Sequence, residues 1–123
     1  MNVAKLNAAV ELLKSDLGES LLSTAIAMNV DGQPIASFNS SPKFAALIVK
    51  VINVINDATS IGGLPQIGKY ATFDLQDDRV LVVLPLGEYI WGILLDSAKT
   101  QMGLLLNIEI PRAIDAFAEA VSW

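Results

Sequence analysis

The sequence predicts an α+β fold in which helices cover both faces of one antiparallel sheet, and three observations lead there. Apolar residues recur at three-and-four spacing in three separate segments, the mark of helices with a buried stripe. Between them lie short strand-like runs joined by Asp-Gly, Asp-Asp and Gly-Glu pairs, the turn chemistry of hairpins. Two of those runs, VLVVLPL and YIWGILL, are apolar on both faces, which a sheet tolerates only when both sides are covered. The predicted order is α-β-β-α-β-β-β-α. No repeat, low-complexity tract or linker divides residues 1–123, so a single domain is expected.

In the first helix, Val3, Leu6, Val10, Leu13 and Leu17 share a face and Gly18 ends the run. LLSTAIAMNV, Asp31-Gly32 and QPIASF then read as a hairpin. Pro34 has no amide proton to donate, so the second strand should lie at a sheet edge or begin just after it. Pro42 suits a first helical turn capped by Ser41 or Ser40, and the second helix should run to about Ser60. After the loop IGGLPQIG, the runs KYATFDL, VLVVLPL and YIWGILL form a meander turned at QDDR and Gly87-Glu88. Gly92 sits opposite Tyr89, Trp91 and Ile93, leaving room for a helix to approach. The last helix begins near Ser97 or Thr100 and carries Met102, Leu105, Leu106, Ile110, Ala113, Ile114, Phe117 and Val121. Pro111 within it predicts a kink or break near Asn107. Trp123 carries no signal.

Composition limits the functions open to this chain. It is 53% hydrophobic and 17% charged, where ordinary domains run to about 45–50% and about 25%. The longest apolar run, Val80 to Leu95, is broken by Pro85, Gly87 and Glu88 and falls short of about 20 residues, so membrane insertion is not expected. The N-terminal stretch lacks the features of a secretory signal, which leads to a cytoplasmic expectation. Cysteine and histidine are both absent, which removes thiol nucleophiles, imidazole bases and the usual zinc ligands. Net charge is −5, and the eight Lys and Arg are scattered singly. Nucleic acid is not an expected partner.

The unusual element is the second helix. On a helical wheel, Lys43, Lys50, Asn53 and Asp57 gather in an arc of roughly 80°, with Asn56 slightly apart. Phe44, Leu47, Val51, Val54 and Ala58 form one apolar flank, Ala45, Val49 and Ile52 the other. Ile48 and Ile55 join them across roughly 220°. A sheet hides about half of that arc. Either a neighbouring loop covers the rest, or a second chain does, and a helix pair across a two-fold axis is the preferred reading. Burying four or five further aliphatic side chains at about 1.5 kcal/mol or more each would drive association strongly, before lost translational freedom is subtracted. Periodicity leaves open which flank faces the sheet.

The chemical motifs are weak. Residues 63–69, from Gly63 to Lys69, have phosphate-loop spacing, but Tyr70 stands where Ser or Thr is required and Pro65 removes an amide. The loop also follows a helix and precedes a strand, the reverse of that motif's setting. Asp74, Asp77 and Asp78 read as a solvated turn balanced by Arg79 rather than as a cation site. Tyr89 and Trp91 read as core packing. No catalytic residue, metal site or cofactor is assigned, and the chain is not expected to be an enzyme.

The order of elements, with MNVDGQPIAS as first hairpin, VLVVLPLGEYIWGILLD as last and a Leu-rich helix closing the chain, resembles the roadblock family of dynein light chain-like domains. The resemblance implies a profilin-like α/β/α sandwich with strand order 2-1-5-4-3. The second helix would lie on one face, the first and third on the other. It further implies homodimers joined through the second helix and third strand. The implied interface comprises Phe44, Leu47, Ile48, Val51, Ile52, Ile55, Tyr70 and Thr72. Stand-alone bacterial and archaeal members resemble companions of Ras-like small GTPases, such as the gliding-polarity regulator. The resemblance thus implies a non-enzymatic regulator contacting a GTPase through Lys50, Asn53, Asn56 and Asp57. The alternative is a structural adaptor that binds a peptide or another roadblock chain regardless of nucleotide. Neither Arg79 nor Arg112 lies in a motif that supports an arginine finger.

Overall fold

The computed structural model describes residues 2–122, so Trp123 lies outside the described residues. Helix α1 (Val3–Leu17) is capped by Asn2, whose side chain accepts the Lys5 amide, and stops at Gly18 with φ +57°. Glycine enters that region without steric cost. Leu6, Ala9, Val10, Leu13 and Leu17 are buried, while Val3, at the first position, is exposed.

A 3-10 turn leads into β1 (Leu21–Met28), which pairs with β2 (Pro34–Phe38). Pro34 opens an edge strand, where its missing donor costs least. The connection is wider than a two-residue turn. Gly32, at φ +73°, donates its amide to the Met28 carbonyl, and the Asp31 carboxylate accepts the Gln33 amide. Helix α2 (Pro42–Ile61) starts with Pro42 behind the Ser41 cap, whose hydroxyl accepts the Phe44 amide. Strands β3 (Ala71–Leu75), β4 (Arg79–Leu86) and β5 (Tyr89–Asp96) form the meander. All pairings are antiparallel and the order is β2-β1-β5-β4-β3.

The last helix is one rod in three stretches: α3 (Met102–Leu104), a π segment (Leu105–Glu109) and α4 (Ile110–Val121). Pro111 leaves the Asn107 carbonyl without its usual donor and crowds it, and the rod widens there instead of breaking. The Ile110 amide donates to the Leu105 carbonyl five residues back.

The core has two layers. On one face α1 and α4 pack over Ile26, Val82, Leu84, Trp91, Ile93 and Leu95; on the other α2 packs over Ala25, Ala27, Leu81, Val83 and Ile90. Trp91 is fully buried; its indole donates to the Thr24 hydroxyl at 2.7 Å, and that hydroxyl donates to the Gly92 carbonyl at 2.7 Å. Tyr89 meets Phe117 edge-on at 5.5 Å. Both aromatics are therefore packed into the core. Replacing Thr24 by Val orphans the buried indole proton, and urea unfolding should show a loss of about 1–3 kcal/mol.

A smaller electrostatic strain lies beside the π segment. Burial raises the Glu109 carboxyl above the ordinary range; Asp16 raises it further and Arg112, itself 3.3 Å from Asp16, opposes them. A raised folded-state value means that the protein loses stability as pH climbs through it and the carboxyl ionises. Glu109→Gln should therefore raise the melting temperature slightly at neutral pH. The gain should vanish below the carboxylate range, where Glu109 is already neutral.

Candidate functional site

The structure settles which flank of α2 faces inward. Ala45, Ile48, Val49 and Ile52 are buried against the sheet. The floor beneath them includes three small residues, Ala25, Ala27 and Gly92, so the helix sits close there. A Cβ on Gly92 would lie 2.5 Å from Ile48 Cγ2, and one on Gly32 would lie 3.3 Å from Ala46 Cα. The assignment of Ile48 and Ile52 to a partner interface is thereby corrected. They are 0% and 2% exposed because their own sheet covers them.

The other flank has no cover among the described residues. Phe44, Val51 and Ile55 are half-buried, while Leu47 and Val54 are 49% and 53% exposed. Ala58 and Ile61 extend the exposed row toward the helix end. With Phe73 and Leu75 of β3 and Leu81 of β4, this flank walls a groove of about 490 Å³, whose one charged contributor is Lys50. β3 is also the end strand of the sheet, so its outer backbone groups have no neighbouring strand among the described residues. Thr72 is exposed on that edge, and Tyr70, exposed, immediately precedes it.

The polar stripe divides in two. Lys50, Asn53 and Asp57 are exposed as expected. Asn56 is half-buried, and its side-chain oxygen accepts the Ile67 amide at 2.8 Å. Its placement in an open contact stripe is corrected: it ties the loop after α2 back onto the helix. Asn53 borders a separate hollow of about 570 Å³ formed with the hairpin tips at Asn29, Val30 and Glu88.

The remaining motifs show no assembled chemistry. The loop at residues 63–69 leads into β3, and apart from half-buried Ile67 its residues are exposed. No group of three His, Cys, Asp or Glu with metal-holding geometry occurs among the described residues. Arg79 donates to the backbone carbonyls of Asp77 and Asp78 rather than pairing with their carboxylates. Both aspartates take positive φ, 62° and 56°, as tight hairpins demand. By length and composition α2 is able to cross a membrane, being 20 residues long with hydropathy 1.5. It holds no long contiguous apolar run, because Lys50, Asn53 and Asp57 interrupt the sequence. In this fold its inward face is embedded in the sheet.

Sequence reasoning also missed the far wall of the groove and the hairpin-tip hollow. The alternation in ATFDL, which places Phe73 and Leu75 on one face, held the signal for the wall. The hollow joins segments distant in sequence and left none.

A five-stranded antiparallel sheet in this order, with two helical layers on opposite faces, defines the profilin-like architecture of roadblock domains. Solved structures with the same fold agree. Myxococcus xanthus MglB superposes with TM-score 0.80 at 18% identity, covering 98% of this chain and 93% of that one. An MglB with a tetrameric arrangement gives 0.73 at 17%, covering 95% and 90%. A Roadblock/LC7 domain from Streptomyces avermitilis gives 0.76 at 13%, covering 94% and 98%. The profilin of Schizosaccharomyces pombe has the same fold at TM-score 0.62 and 16% identity, covering 95% and 98%. At such identities the likeness is one of fold. No family model matches the chain, and no curated protein sequence does.

Proposed function

We propose that this protein is a non-enzymatic, cytoplasmic homodimer that binds a Ras-like small GTPase and biases its switch segments. One observation carries the reading: the apolar flank of α2 opens into a groove beside the free edge of β3, and none of the described residues covers it. Two copies meeting there bury Phe44, Leu47, Val51, Ile55, Tyr70 and Thr72 and join their sheets edge to edge. Association leaves Lys50, Asn53 and Asp57, of which Asn53 borders the hairpin tips, as the surface offered to the GTPase. The fold shared with MglB supports this, as does the tetrameric arrangement of one such protein. Binding shifts a switch only if one nucleotide state is held more tightly than the other.

The two arginines, Arg79 and Arg112, are engaged within the chain, with turn carbonyls and with Asp16. That favours switch stabilisation over an arginine finger. The test is co-purification of the tagged protein with each Ras-like GTPase of its own genome, loaded with GDP or with a GTP analogue. Retention in one nucleotide state supports the reading. Retention in both equally points instead to the adaptor role, and retention of none overturns GTPase binding.

A further inference from the structure

The hollow at the hairpin tips differs in chemistry from the groove beside α2. Its walls come from three places: Met28, Asn29 and Val30 where β1 ends, Gly87 and Glu88 between β4 and β5, and Asn53 on α2. Asn29, Asn53 and Glu88 bring two carboxamides and a carboxylate to it. Among the described residues no ion pair or hydrogen bond holds any of these three side chains. No lining residue is positively charged, since Lys50, one turn before Asn53, lines the apolar groove instead. Asp31, exposed in the same turn as Val30, adds a second negative charge close by.

The hollow is also preformed. The Asn29 amide donates to the Glu88 carbonyl at 2.8 Å and ties the two tips together, while the Gly32 turn abuts Ala46 and ties them to α2. Walls held in this way lose little freedom when a visitor arrives. Val30 is 85% exposed at the rim and Met28 is half-buried, so apolar surface stands next to the acceptor groups. That combination matches a side chain with an aliphatic stem and a cationic head. Acceptors spread over three elements suit the planar, five-donor guanidinium of arginine better than the compact ammonium of lysine. At about 570 Å³ the hollow has room for residues flanking such an arginine as well. We infer that the hairpin-tip hollow receives an arginine side chain of the bound GTPase, its guanidinium on Glu88, Asn29 and Asn53 and its stem along Val30 and Met28. The inference rests on the GTPase reading above for the identity of the visitor and adds the chemistry that holds it.

N-acetyl-arginine amide is the probe, titrated into the isotope-labelled full chain at millimolar concentration, because a lone exposed contact of this kind is weak. The backbone amide signals of Asn29, Asn53, Gly87 and Glu88 should shift together. The citrulline analogue, of similar shape but uncharged, should bind about tenfold more weakly. Equal shifts with both compounds, or none at these residues, overturns the inference. Glu88→Lys, at an exposed position and so expected to keep the wild-type circular dichroism spectrum, should abolish the shifts. The same variant should bind any GTPase retained by the wild type about tenfold more weakly. Unchanged GTPase affinity overturns the inference but leaves GTPase binding standing. A wild type that binds the probe and retains no GTPase overturns the reading above and leaves the chemistry of the hollow standing.

Discussion

Val51→Asp should give a folded monomer, whereas Ile52→Asp, one residue away, should give an unfolded chain. Val51 lies on the outward flank, half-buried beside the groove, so a carboxylate there keeps its water in the isolated chain. It becomes buried and unpaired only when a second copy arrives. Ile52 is 2% exposed against the sheet, and a carboxylate there must be desolvated for the chain to fold at all. An unpaired buried charge costs several kcal/mol, comparable to the whole stability of a domain this size. Light scattering at low micromolar concentration with circular dichroism separates the cases. A wild type that scatters as a 13.1 kDa species would remove the reason for the contrast, and an Ile52→Asp protein that stays folded would contradict the placement of α2.

The second large effect should come from a single methyl group. Gly92→Ala puts a Cβ at 2.5 Å from Ile48 Cγ2 and 2.8 Å from Ile48 Cδ1, well inside contact distance. Relief requires Ile48 to leave its rotamer or α2 to lift from β5, and such overpacking costs about 1–3 kcal/mol. Ile48→Ala alone leaves a cavity and should cost about 2–5 kcal/mol. The methyl of Gly92→Ala partly fills that cavity, so in the double variant the two losses should not add. Denaturant titration of all four proteins checks this: a coupling of about 1 kcal/mol or more is expected, and strict additivity would mean that the two residues do not touch.

Most of the fold was legible because it is written in short-range patterns. The spacing from Val3 to Leu17 and the Ser41-Pro42 pair set α1 and the start of α2, and Gly87-Glu88 set the β4–β5 turn. Pro111 marked the disturbance in the last helix, though not its form, since a proline specifies what is lost and not how the rod accommodates it. The orientation of α2 was not legible, because a helical wheel gives arcs and no external reference. That reference lies elsewhere in the chain, in Ala25, Ala27 and Gly92, whose missing bulk matches Ile48. Reading it requires knowing that β1 and β5 are neighbours. The candidate site shows the same division. Leu47 and Val51 announced themselves by period, but Asn56 looked like its polar neighbours until the loop carrying Ile67 was seen to hang from it. Ile48 and Ile52 were assigned to the wrong side for the same lack of reference.

The close seat of α2 also bears on how the molecule responds to load. With Ile48 wedged over Gly92, the Gly32 turn abutting Ala46 and Asn56 moored to Ile67, the rod has little freedom to roll or slide. Whatever presses on its exposed side meets a stiff anvil, so adjustment on contact has to come from the visitor.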